Sequence, residues 1–287
     1  VRGPLWGAWL TILGFGIAAI AMSSGEETPA ASAPPSAGRE FTWTGAVSEE
    51  QFKAMHDLKE GAVADLHGTM VDLAGGQAYL TLPAGEPPFP GVVVIQEWWG
   101  LNDHIKLWTD RLAAEGYAAL AVDLYDGKVA KTPDDAMAYM SAVEDARALQ
   151  ILRAAVAFLA ADQRVKAPKV GSLGWCFGGG WSLMLAMAEP ELDACVMYYG
   201  RVMDQPEELA RMRAPLCAVF GTRDQSIPAE TVTLFEQGLQ AAKVDYQIHR
   251  FDAEHAFANP SNPRYDAKAA EAAWRVVRPF LEFHLKQ

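Results

Sequence analysis

Residues 169–187, KVGSLGWCFGGGWSLMLAM, run from a short apolar segment through a cluster of glycines into a second apolar segment of helical period. Cys176 stands at the junction, with Gly174 and Gly178 two residues to either side, a G-x-C-x-G pattern. A nucleophile held in a sharp strand-to-helix turn needs this spacing, because flanking side chains larger than hydrogen would collide there. A cysteine at the start of a helix also faces unpaired amides and the positive end of the helix dipole, which favour the thiolate; a lowered thiol pKa is the expectation. The competing reading, a phosphate-binding loop, lacks the GxxxxGK[ST] pattern and its lysine.

Outward from this turn, QAYLTLP, GVVVIQE, YAALAVDL, DACVMYY, LCAVFG and DYQIHRF join KVGSLGW as strand candidates. Several are apolar throughout, as in parallel strands buried on both faces, and helix-period stretches such as HIKLWTDRLAAEG and SLMLAMAE fall between them. The expected fold is α/β, a single doubly wound, mostly parallel sheet. Ahead of it, SEEQFKAMHDLKEG reads as a short amphipathic helix capped by Ser48 and stopped by Gly61, packed as an appendage.

Ligands of open α/β sheets bind at the carboxyl ends of the strands. Four reactive residues follow strand candidates directly: Glu97, Cys176, Asp224 in GTRDQSIP and His255 in DAEHAFANP. Nucleophile, acid and histidine come in the chain order that a hydrolytic triad on such a sheet requires. Asp252 and Glu254 lie too close to His255 in sequence to serve as its orienting acid. Two backbone amides, of Phe177 after the nucleophile and of Trp98 after an earlier strand, fit an oxyanion hole. Trp98, Trp99, Tyr125 and Tyr199 are candidates for an apolar acyl pocket.

The segments QEWWGLNDH, GWCFGGG, GTRDQSIP and EHAFANP resemble those of the dienelactone hydrolase family, from about residue 45 to the C-terminus. The resemblance implies the α/β-hydrolase fold and a small ester or lactone as substrate, cleaved through Cys176, His255 and Asp224 with no metal or organic cofactor. It also implies a role for Glu97, contact with the thiol and control of its ionisation. Where the family's founding enzymes place a carboxylate-binding arginine after the histidine, this chain has Asn259, and DDAMAYMSAVED offers no arginine before Arg147. Neutral esters or lactones are therefore expected to be better substrates than an anionic dienelactone. The alternative function is a non-catalytic binding or thiol redox-sensing protein on the same fold.

Composition bounds the rest. A formal net charge of -12 over 287 residues, with no basic run, argues against a nucleic-acid partner. The three cysteines, Cys176, Cys195 and Cys217, form no CxxC pair and have no histidine at zinc-finger spacing, which argues against a structural metal. Cys195 and Cys217 lie in strand-like apolar runs and are expected in the core. Residues 5–22 carry no charge and are followed by a Ser/Pro/Ala-rich stretch. Residues 1–24 are thus expected to be a signal peptide or membrane anchor, 25–40 a flexible linker and 41–287 the catalytic domain, exported or membrane-anchored.

Overall fold

The computed structural model describes residues 43–56, 58 and 65–287. The chain begins with α1 (Glu49–Met55), a hairpin of β1 (Thr69–Leu73) and β2 (Gly76–Thr81), then β3 (Gly91–Ile95), α2 (Asp103–Ala114) and β4 (Ala118–Val122). Helices α3 (Pro133–Ser141) and α4 (Asp145–Ala161) precede β5 (Val170–Trp175), α5 (Phe177–Ala188) and β6 (Ala194–Tyr198). The last third contains α6 (Pro206–Leu209), β7 (Leu216–Gly221), α7 (Ala229–Ala242), β8 (Tyr246–Phe251) and α8 (Ala267–Lys286).

The eight strands form one sheet in the order β1-β2-β4-β3-β5-β6-β7-β8. β2 pairs antiparallel with β1 and β4, and every pair from β4 to β8 is parallel. This is the mostly parallel α/β sheet expected. Strands β3, β4, β5, β6 and β7 are buried along their whole length, which is why they read as apolar runs, interrupted only by Ser172 in β5. β1 escaped the sequence reading for the opposite reason. As an edge strand it buries no residue fully, with Thr69, Met70 and Asp72 exposed, and TMVDL carries too little apolar signal to stand out.

The chain leaves β3 toward β4 on one side and returns to β5 on the other, so β3 and β5 flank the point where the winding reverses. Such a switch point opens a crevice at the strands' carboxyl ends. Ile95 pairs with Gly174 and Trp175 with Tyr198, which aligns the ends of β3, β5 and β6 and brings Glu97, Cys176 and Tyr199 to one edge.

Helix α1 is not an appendage. Ser48 and Gln51 form a capping box at its start, and Phe52, Met55 and the C-capping His56 are buried. Arg264 Nη1 and Asn262 Nδ2 both donate to the Met55 carbonyl, at 2.5 and 3.4 Å, fastening the helix end to the loop after β8. The helix ends at Met55 with His56 as its C-cap, well before the stop expected at Gly61; the leader and linker expected over 1–40 lie outside the described residues. Among the described residues no helix is long and apolar enough to cross a membrane.

Candidate active site

Cys176 is the last residue before α5 and adopts φ 52° and ψ -115°, a conformation that non-glycine residues rarely hold. The turn closes tightly around it. A Cβ on Gly174 would lie 2.1 Å from the Gly178 carbonyl oxygen, and one on Gly178 would lie 2.3 Å from that of Ile95. The glycines flanking the cysteine are therefore required by contact, as the spacing predicted. Phe177, the first residue of the helix, has an amide with no intrahelical acceptor. The Trp98 amide likewise donates to no backbone carbonyl among the described residues.

Asp224 follows β7 in a loop where its Oδ1 accepts from the amides of Ser226 and Ile227 at 2.8 and 2.9 Å. Its other oxygen lies 2.7 Å from His255 Nδ1, and His255 Nε2 lies 3.3 Å from Cys176 Sγ. All three side chains are buried. The neighbouring acids are engaged elsewhere, Asp252 with Arg223 and Glu254 with Arg264.

Glu97 is 4% exposed, and its Oε2 accepts a short hydrogen bond from Asn259 Nδ2. Asn259 Oδ1 in turn accepts from the amide and hydroxyl of Ser261, so this side chain orders Glu97 and its own turn. Glu97 also acts on the thiol through charge, raising its pKa. Tyr199 packs edge-on against His255 with ring centroids 5.1 Å apart, and Trp98 against Trp99 at 5.0 Å. Tyr125 lies 5.6 Å from the Phe177 ring, and its buried hydroxyl has no hydrogen-bond partner among the described residues.

A model of the dienelactone hydrolase family matches residues 77–285. The chain belongs to the dienelactone hydrolase family. A protein of Methylorubrum extorquens named "Putative carboxymethylenebutenolidase" is 33% identical over 220 residues, covering 71% of this chain and 75% of its own. One of the same name from Synechocystis is 32% identical over 226 residues, covering 72% and 92%. Among solved structures, the dienelactone hydrolase-like promiscuous phosphotriesterase P91 from metagenomic libraries superposes with a TM-score of 0.68 at 28% identity, over 77% of this chain and 99% of that one. Membership of the dienelactone hydrolase family makes the protein a hydrolase acting on a small molecule.

Electrostatics refine what this dienelactone hydrolase site holds at rest. Burial pushes the Cys176 thiol above its usual 9.0, against the pull of His255. The expectation of a lowered thiol pKa from the helix N-terminus is thus overturned, because the loss of water outweighs the dipole. Burial also opposes charge on His255, but Asp224 and then Cys176 outweigh it, and the imidazolium persists to about 10. Glu97 is lifted by burial to about 7, with His255, Asn259 and Tyr199 acting in the opposite sense.

Sequence reasoning missed His56. Its Nε2 lies 3.6 Å from Cys176 Sγ, and its ring packs on Trp98 at 4.6 Å and on His255 at 5.1 Å. With Phe52, it seats α1 directly over the reactive edge. Burial, then the charge of His255 and of Arg264, holds His56 neutral, well below its usual 6.5. The local sequence offers one signal only, a histidine one turn after Phe52 on the apolar face of a capped helix.

Proposed function

We propose that the protein hydrolyses small neutral esters or lactones, with Cys176 as nucleophile, His255 as general base and then acid, and Asp224 as the group that orients His255. The observation that carries this reading is His255 itself, bridging Asp224 Oδ2 at 2.7 Å and Cys176 Sγ at 3.3 Å. Once the proton has left the pair, the thiolate attacks the carbonyl carbon. The amides of Trp98 and Phe177 receive the developing oxyanion. The leaving alkoxide takes a proton from His255, giving an acyl-enzyme thioester, and water activated by the neutral His255 releases the acid and restores the thiol. Trp99, Tyr125 and Tyr199 line the acyl side, and Glu97, steadied by Asn259, tunes the charge beside the sulfur.

The preference for neutral substrates is supported by the arginines. Arg147 pairs with Asp126, Arg264 pairs with Glu254 and holds Met55, and Arg201 lies 4.4 Å over the Trp43 ring. Neither Arg147 nor Arg264 is left to balance a substrate carboxylate, which would be costly to strip of water in this apolar setting. Residues 5–22 are read as an export or anchoring segment on their lack of charge and the Ser/Pro/Ala-rich stretch that follows them.

A panel of neutral and anionic esters and lactones tests the reading. Neutral substrates should be turned over faster, and Cys176→Ala should lower hydrolysis by at least about 1,000-fold. Equal rates for charged and uncharged analogues would refute the preference, and an active Cys176→Ala variant would refute the nucleophile.

A further inference from the structure

We propose that His56, Cys176 and His255 form a binding site for a zinc-like divalent cation, occupation of which reversibly shuts the hydrolytic centre. The three side chains offer ligand atoms that all lie within 4.8 Å of one another, and all three residues are buried. A tetrahedral ion with a zinc–sulfur bond of about 2.3 Å and zinc–nitrogen bonds of about 2.0 to 2.1 Å sets its sulfur and nitrogen ligands about 3.5 Å apart. Here Cys176 Sγ lies 3.6 Å from His56 Nε2 and 3.3 Å from His255 Nε2. Both sulfur–nitrogen spacings are thus those of a bound ion, and the two imidazole nitrogens, within 4.8 Å of each other, would draw in toward the roughly 3.3 Å that a tetrahedral ion sets.

The groups behind the ligands point the same way. His56 Nδ1 lies 2.8 Å from the Phe52 carbonyl oxygen, which can only accept, so Nδ1 carries the hydrogen and Nε2 presents a lone pair toward the sulfur. His255 Nδ1 is held by the Asp224 carboxylate at 2.7 Å, leaving its Nε2 on the sulfur side as well. An imidazole anchored through one nitrogen to a carbonyl or carboxylate and offering the other is the usual support of a metal-ligating histidine. Hydrolysis, by contrast, uses only one of these rings.

Binding would replace the thiol proton and any proton on His255 Nε2 with the cation, releasing them to solvent. The thiolate and the Asp224 carboxylate would balance its two positive charges, and the nearby Arg264 is already paired with Glu254 at 2.9 Å. Because the ion takes both the nucleophile and the base, the metal-bound and hydrolytic states exclude each other. Three protein ligands leave a fourth position for water or an anion.

The full chain, freed of metal by chelator, is titrated with Co²⁺. The expected result is one ion per chain with a thiolate-to-cobalt charge-transfer band, displaced by Zn²⁺, and loss of ester hydrolysis in step with occupancy. Cys176→Ser should abolish the band, and His56→Gln should weaken binding by at least about 10-fold. No band in the wild type, undiminished binding by His56→Gln, or full hydrolysis at full occupancy would overturn the proposal. X-ray absorption at the zinc edge of the wild-type protein needs no variant. One sulfur and at least two imidazole nitrogens support the site, and a shell without sulfur refutes it.

Discussion

Cys176 is subject to two opposing influences. The helix end behind it favours negative charge by about 1 kcal/mol, up to about 2 in partly buried geometries. Removing a charged group from water shifts a pKa by as much as 3 to 5 units, several kcal/mol. Burial wins, so the Cys176 thiol holds its proton above its usual 9.0. Hydrolysis, corrected for the uncatalysed rate, is therefore expected to rise with pH above 7. A rate profile that peaks below pH 7 would contradict this. The residues of this constellation were legible because each directly follows a strand, in nucleophile, acid, histidine order. The direction of the thiol's pKa was not legible, because it depends on what covers the sulfur, and the covering residues lie some 120 positions away in sequence.

At the scale of elements, α1 covers the candidate site. Its capping box, its carbonyl clasp to Arg264 and Asn262, and the packing of Phe52 and His56 hold it over Trp98, His255 and the thiol. Cys176 is 5% exposed, so reagents meet its sulfur only when covering groups move, and the opening of this seven-residue helix can be tested directly. Loss of the N-cap in Ser48→Ala costs about 1 kcal/mol and should raise the open population by about fivefold. Alkylation of Cys176 by iodoacetamide should accelerate accordingly, and an unchanged rate would show that α1 does not limit access. The sequence announced this helix through Ser48 but not its docking. Nothing in EEQFKAM distinguishes an amphipathic helix that covers a site from one that packs elsewhere. The central strands were legible because burial on both faces leaves only apolar residues; β1, half exposed at the sheet edge, was not.

For the whole molecule, the switch point between β3 and β5 gathers side chains from distant segments into one dry cluster, and its titration is linked to folding. Glu97 ionises near 4.5 when exposed and at about 7 in the fold. Between those values the folded state holds a proton that the unfolded chain has lost. Stability from this group is therefore complete below pH 4.5, declines as pH rises to 7, and is flat above, a loss of about 3 kcal/mol. Glu97→Gln keeps an amide oxygen for Asn259 but cannot titrate. The difference in melting temperature between wild type and Glu97→Gln should shift in favour of the variant from pH 5 to 7 and then level off. Parallel curves would mean that Glu97 is not buried as an ionisable group.

Rapid-quench mass spectrometry of the protein during turnover of p-nitrophenyl acetate shows whether Cys176 carries the acyl group. The prediction is one acetyl group per chain, mapped to the peptide containing Cys176 and lost as substrate is exhausted. Turnover with the acetyl group on another residue, or with no acylated protein at any time under conditions that trap a thioester, would contradict it.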